Sequence, residues 1–252
     1  MGIRRGEITT KIVSDGLVFN MDAANRAFIK PSLASTTSQD TVSKSSGSFY
    51  NDTFWDGPTT ASLAFDAVND YILFENKSEL QITGPITIGI WFKFAQSGTS
   101  TNMGFLTKGT GKYRYVGSSG NKSYEVEYYA NKALFQIGNG STTAGLYSTA
   151  GWKSSNVDGN WHYLTCLWKG NGITNNLQIY ADGILDNQST NTTISSLQVT
   201  TTPLMISDGF PAGQATSYPF YGNIGPTHIY NRALSANEVL YNYNGLRGRF
   251  GV

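Results

Sequence analysis

Gly222-Asn-Ile-Gly-Pro-Thr-His-Ile-Tyr-Asn-Arg-Ala-Leu-Ser-Ala-Asn-Glu-Val-Leu-Tyr-Asn-Tyr-Asn-Gly245 is the stretch on which the architecture turns. Ile224 to Tyr230 is short and β-prone, and it runs into Asn231-Arg232. Ser235 and Glu238 then form an S-x-x-E capping box, in which each side chain satisfies the other's orphan backbone N–H. The pattern predicts a helix starting at Ser235, with Leu234 and Val239 as a hydrophobic staple and Gly245 as the left-handed stop. A helix of about ten residues is marginal alone and must be held by packing, here through Val239, Leu240 and Tyr243. The segment reads as a latch closing a β domain.

Upstream, strand signals recur at short intervals. Leu17-Val-Phe-Asn-Met21 is a first strand, and Ser62 to Asp66 and Tyr71 to Phe74 flank a turn at Asn69-Asp70. In Ile86-Thr-Ile-Gly-Ile-Trp-Phe-Lys-Phe94 the apolar residues Ile88, Ile90, Phe92 and Phe94 share one face. The opposite face, with Gly89, Trp91 and Lys93, is expected to be partly wet or covered by a loop. Phe105 to Gly109, Tyr113 to Val116, Tyr124 to Tyr129 and Ala133 to Ile137 follow as a meander. Trp161 to Trp168 leads into Leu177-Gln-Ile-Tyr-Ala-Asp-Gly183, whose Asp-Gly is a hairpin signal. Pro203 to Ser207 completes the set. Many strands without βαβ alternation predict an all-β fold, a two-sheet antiparallel jelly-roll sandwich with a short C-terminal helix. The expected organisation is an N-terminal arm over residues 1–16, the sandwich over 17–245 and a C-terminal tail over 246–252. Residues 31–62 contain ten Ser or Thr among the seventeen positions from Ser32 to Ser48 and read as a long surface loop, functional or covering a sheet edge.

Composition excludes several functions. A net charge of +1 with 14% charged residues gives no electrostatic footprint for nucleic acid. One cysteine, Cys166, excludes an internal disulfide framework, and no Cys/His spacing suggests zinc. No apolar run approaches the roughly 18 residues of a membrane span, so no membrane insertion is expected. Met1-Gly-Ile-Arg-Arg-Gly-Glu7 lacks an apolar signal core, which points to a protein made in a cytoplasm without an export signal.

Five stations in order resemble the laminin G-like, concanavalin A-like jelly-roll family: Phe65-Asp-Ala-Val-Asn-Asp-Tyr-Ile72, Ile86 to Phe92, Phe105-Leu-Thr-Lys-Gly109, Asp158-Gly-Asn-Trp-His-Tyr163 with Leu177 to Gly183, and Phe220 to Glu238. The closing segment is similar to the variant found in phage virion proteins. Two departures stand out. The Ser/Thr stretch replaces the family's Gly/Asn-rich turn, and Gly225-Pro226 stands where relatives often carry an acidic residue.

The chemistry of an enzyme is missing. A glucanase on this fold needs paired carboxylates flanking the glycosidic bond, and the family's Glu-x-Asp-x-x-Glu signature does not occur. Glu125 and Glu127 share a strand face without a third acid and read as solvated strand polarity. His162 reads as a satisfied structural histidine, His228 has no triad partner that the sequence can place, and Cys166 reads as a small core residue. No cofactor is expected. Calcium, which many relatives hold, would have Asp22, Asp66, Asp70 and Asp208 as candidates, though these show no ligand spacing. For sugars, the candidate aromatic platforms are Tyr113, Tyr115, Tyr128 and Trp152, which could equally be packing aromatics.

The resemblance therefore implies a non-enzymatic phage virion structural protein, as capsid decoration or tail appendage, displaying a lectin-like domain. Its partners would be other virion proteins and further copies of itself, with the basic N-terminal segment and the residues after Gly245 as docking arms. The alternatives are a carbohydrate-binding module for host-surface or environmental glycans and, third, a divergent glycoside hydrolase.

Overall fold

Alternation along residues 86–94 becomes a strand whose Ile88, Ile90, Phe92 and Phe94 point into the main core. The computed structural model describes residues 12–25, 37–51, 53–56, 61–95, 102–110, 121–149, 158–207 and 218–252. In chain order the strands are β1 (Leu17–Met21), β2 (Thr37–Gln39), β3 (Ser46–Tyr50), β4 (Phe54–Trp55), β5 (Leu63–Asp66), β6 (Tyr71–Phe74), β7 (Ile86–Phe94), β8 (Asn102–Thr110), β9 (Asn121–Tyr129), β10 (Lys132–Gly138), β11 (Thr143–Tyr147), β12 (His162–Trp168), β13 (Leu177–Ala181), β14 (Ile184–Ser189), β15 (Leu204–Ser207) and β16 (Tyr221–Tyr230), followed by helix α1 (Ala236–Phe250).

Sheet I runs β14-β13-β12-β7-β16-β5-β4, with β1 also pairing with β16, and sheet II runs β11-β10-β9-β8-β15-β6-β3-β2. The paired strands are antiparallel, as in a jelly-roll sandwich. The main core lies between the sheets, where Phe92, Phe94, Phe105 and Phe220 pack edge-to-face, tilted or stacked at 4.9–6.0 Å. β16 takes β7 along one edge and divides its other edge between β5 and β1. Its register with β7 shifts at residues 225–226, where Pro226, lacking an N–H, sits at a bulge.

α1 corrects the expected latch. Its capping box and staple form as read: Ser235 accepts from the Glu238 N–H, Glu238 accepts from the Ser235 N–H, and Leu234 and Val239 are buried together. The helix passes through Gly245, however, and ends at Gly251, whose φ of 74° is left-handed. Val239, Asn242, Leu246 and Phe250 recur at helical spacing and are all buried. That packing outweighs the roughly 1 kcal/mol that a glycine costs inside a helix. Residues 246–250 are thus helix and not a tail, and Leu240, expected to pack, is exposed.

The helix covers the outer face of sheet I, which was expected to be partly wet or loop-covered. Trp91 is fully buried there, its ring stacked at 4.6 Å on Phe250, 5.1 Å on Tyr163 and 5.6 Å on Tyr243. A Cβ on Gly225 would stand 3.1–3.3 Å from Trp91, Trp161 and Phe250, so the residue that displaces the family's acid is also the one that lets these rings close. Of the expected N-terminal arm, residues 1–11 lie outside the described residues, and residues 12–16 belong to the fold: Val13 N–H donates to Asn242 Oδ1 at 2.8 Å, and Tyr230 Oη donates to the Val13 carbonyl at 3.0 Å.

The Ser/Thr stretch is likewise more structured than a loop where it is described. β2 and β3 form the hairpin at the edge of sheet II, β4 sits at an edge of sheet I, and Trp55 packs on the main core. Asp40 organises the hairpin turn, and Ser45 beside it is fully buried with its hydroxyl on the Glu75 carbonyl.

Candidate functional site

The outward residues of sheet II make a row across seven strands. Ser48, Leu73, Met205, Thr107, Glu125, Gln136 and Gly145 are successive cross-strand partners from β3 to β11. With strands about 4.8 Å apart, the row is about 29 Å long. Beside it, Tyr71 backs the exposed Tyr50, ring on ring at 4.5 Å and 10°, while at the other end Tyr129 and Tyr147 meet at 6.5 Å.

Its centre is polar and shielded. Gln136 donates through Nε2 to Glu127 Oε1 at 2.7 Å and to Glu125 Oε2 at 3.4 Å, and Lys122 Nζ lies 2.5 Å from Glu125 Oε2. Glu125, Glu127, Gln136, Ser123 and Lys122 are all buried. This overturns the reading of the two glutamates as solvated: alternation fixes which face a strand residue takes, but not whether that face is covered. The hydrogen-bonding capacity of the cluster is not used up, for Gln136 Oε1 and Ser123 Oγ have no partner among the described residues. A buried polar atom without a partner costs roughly 1–3 kcal/mol, so a group that supplies one is welcome.

Of the residues expected to meet sugar, Tyr128 is placed in the main core with its ring 4.9 Å from Phe94, and burial pushes its hydroxyl up to about 12. Its ring is turned between the sheets, away from the outer face of sheet II. The signal was present in the segment, because Tyr124 and Val126 share its parity and are core residues too. Tyr113, Tyr115 and Trp152 lie outside the described residues. Tyr50 and Tyr71, which the sequence reading passed over, sit at the end of the Ser/Thr stretch and in a short strand, and strand parity would have placed both outward.

His162 is the satisfied histidine that was expected. Its Nδ1 is 2.9 Å from Asp182 Oδ2 and its Nε2 is 3.4 Å from Asp158 Oδ1. Burial alone would lower it, but the bond to Asp182 and the charges of Asp182 and Asp158 prevail and hold it above its ordinary value. Cys166 is a free thiol in the core, and burial raises it well above the usual thiol range. The described calcium candidates have other work. Asp22 Oδ1 pairs with Arg249 at 2.7 Å, Asp70 Oδ2 accepts the Asp66 N–H, and Asp66 Oδ1 accepts the Val68 N–H. Asp208 lies outside the described residues. Among the described residues no group of three or more His, Cys, Asp or Glu could hold a metal, and no helix is long and apolar enough to cross a membrane.

Two facing antiparallel sheets with one outer face sealed by a helix and the other carrying tyrosines and buried polar groups define a lectin-type sandwich. The chain belongs to the concanavalin A-like lectin/glucanases superfamily, whose family profile matches residues 65–240. No curated protein sequence matches the chain. Among solved structures, the receptor-binding domain of botulinum neurotoxin C/D mosaic serotype superposes with a TM-score of 0.65 at 11% identity, over 92% of this chain and 52% of that one. A botulinum neurotoxin type C structure, described as dependent on two ganglioside molecules for cell entry, gives 0.64 at 12% identity over 92% and 51%. The binding domain of botulinum neurotoxin DC in complex with rat synaptotagmin II gives 0.61 at 11% over 92% and 52%. The chain spans about half the length of these proteins, and at such identity the likeness is one of fold.

Proposed function

We propose that the chain is a non-enzymatic, lectin-type module that binds glycans on the outer face of sheet II. One observation carries this reading: a polar row with unused hydrogen-bonding capacity at Gln136 and Ser123, buried in its middle and flanked by tyrosine faces. Hydroxyl-dense ligands need this combination, with rings to stack on and carboxylate, amide and hydroxyl groups to fix orientation. Catalysis is not favoured, because Glu125 is neutralised by Lys122 and both glutamates are tied to one amide, which leaves no separate acid and base. The ganglioside dependence described for one of the neurotoxin structures is in keeping with glycan recognition on this fold. Tyr113, Tyr115 and Trp152, in segments joined to β8, β9 and β11, are proposed as further contacts.

On a glycan array the wild-type protein is expected to select at least one carbohydrate class, and Tyr50→Ala, an exposed change, to weaken binding about tenfold or more, with Gln136→Ala at least as severe. An array without a binder, or both folded variants binding as wild type does, sinks the assignment. The finer reading, a module displayed on a phage particle, rests on the phage-like closing motif. It predicts the protein in mass spectra of purified virions, and its absence there removes that reading while leaving the glycan assignment intact.

A further inference from the structure

His228 is fully buried, and among the described residues neither ring nitrogen has a hydrogen-bond partner. It pairs with Gly89 of β7, which alternates onto the same face as Trp91, so the imidazole lies on the outer face of sheet I beneath α1. Each element around it contributes an identifiable group. β1 brings Asn20, its cross-strand partner, and the residue just after the strand is Asp22; α1 brings Arg249; and the Tyr163 hydroxyl of β12 occupies the space above Gly89. Asp22 and Arg249 are joined at 2.7 Å, Arg249 Nη2 also donates to the Ala61 carbonyl at 2.6 Å, and the next residue, Phe250, stacks on Trp91 and packs tilted against Trp161.

We propose that His228 is the trigger of an acid-sensitive clasp: a proton on its ring gives Asp22 a second cation, frees Arg249, and lets the last turn of α1 lift from Trp91 and Trp161. With a neutral ring, departure of Arg249 strands the buried Asp22 carboxylate without a countercharge, and this holds the turn down. With a charged ring, Asp22 keeps a partner when Arg249 leaves, and the two cations repel each other. The same contact therefore changes from a lock into a strained pair.

Burial lowers the ring from 6.5 to about 4, with Asp22 pulling upward and Arg249 downward. Between those values the closed state binds fewer protons than an opened one, so acid drives opening there and has no such effect above. The rival groups act elsewhere. His162 is raised, so its contribution is complete below 6.5 and is lost only as pH rises through its folded value. Glu238, held at about 2 by Arg232 and by its capping bonds, gives up its contribution only below 4.5.

Hydrogen exchange read by mass spectrometry on the intact chain tests the clasp between pH 7 and 4.5. After correction for the chemical rate, peptides covering residues 246–252 are expected to open about tenfold or more at the lower pH, with β7 and β12 peptides still protected and tryptophan emission shifted red. His228→Gln should abolish that change. Should His228→Gln fail to fold, NMR titration of the wild-type ring serves: ring protonation and the helix-end signals must move together, and Arg249→Gln must open the turn already at pH 7. The proposal is overturned by a turn that stays closed after the ring has titrated, by equal acid opening in folded His228→Gln, or by loss of the sheet along with the helix.

Discussion

Ending the chain at Gly245 is expected to cost about 7 kcal/mol at neutral pH and to lower the melting temperature by roughly 15 °C or more. Leu246 and Phe250 are both buried, and losing them forfeits roughly 1.5–3 kcal/mol each. Removing Arg249 strands Asp22, which is 3% exposed, and an uncompensated buried charge costs about 3–5 kcal/mol. Total stability is usually about 5–15 kcal/mol, so the shortened protein stands at the margin of folding. Circular dichroism melts with tryptophan fluorescence measure this. A shortened chain melting within a few degrees of the full one would reinstate the reading of residues 246–252 as a free tail.

The second large effect is expected at Asp40. Its carboxylate is fully buried and accepts from the N–H groups of Asn20 at 3.3 Å, Val42 at 2.9 Å, Ser43 at 3.0 Å and Ser45 at 2.7 Å, and from the Ser43 hydroxyl at 2.6 Å. The bond to Asn20 ties the β2–β3 hairpin of sheet II to β1 of sheet I, as does the Thr41 N–H on the Asn20 carbonyl at 3.1 Å. Asp40→Ala leaves several buried donors unpaired, for about 4 kcal/mol, or roughly 10 °C in melting temperature. Asp40→Asn keeps one acceptor but turns donors toward Ser43 and Ser45, and should fall between. Chemical denaturation of the three proteins decides, and a loss under about 1 kcal/mol for the alanine variant refutes this role.

The sandwich was legible because strand alternation is a local record of which residues face the core, and β7 shows it plainly. The capping box and staple were legible for the same reason, each being a contact within one turn of chain. What escaped depends on partners distant in sequence. Gly245 looks like a stop until Trp91 and Trp161 are present to bury Phe250. Glu125 and Glu127 look wet until the face they occupy proves covered. Asp40 and Ser45 look like surface polarity because composition does not reveal that a turn has wrapped its own amides around a carboxylate. Tyr128 is a different case: it shares the parity of Tyr124 and Val126, and that parity alone places its ring in the core.

The central position of β16 in sheet I bears on how the molecule is made. β7, β5 and β1 each depend on it for an edge, yet it follows all three in the chain. Until residues 221–230 emerge, three earlier strands hold unpaired backbone and apolar faces, the condition that promotes sticking to neighbouring chains. Folding of this sheet should therefore be slow, late and sensitive to the crowd of unfinished copies on one message, and dependent on holding factors more than its final stability would suggest.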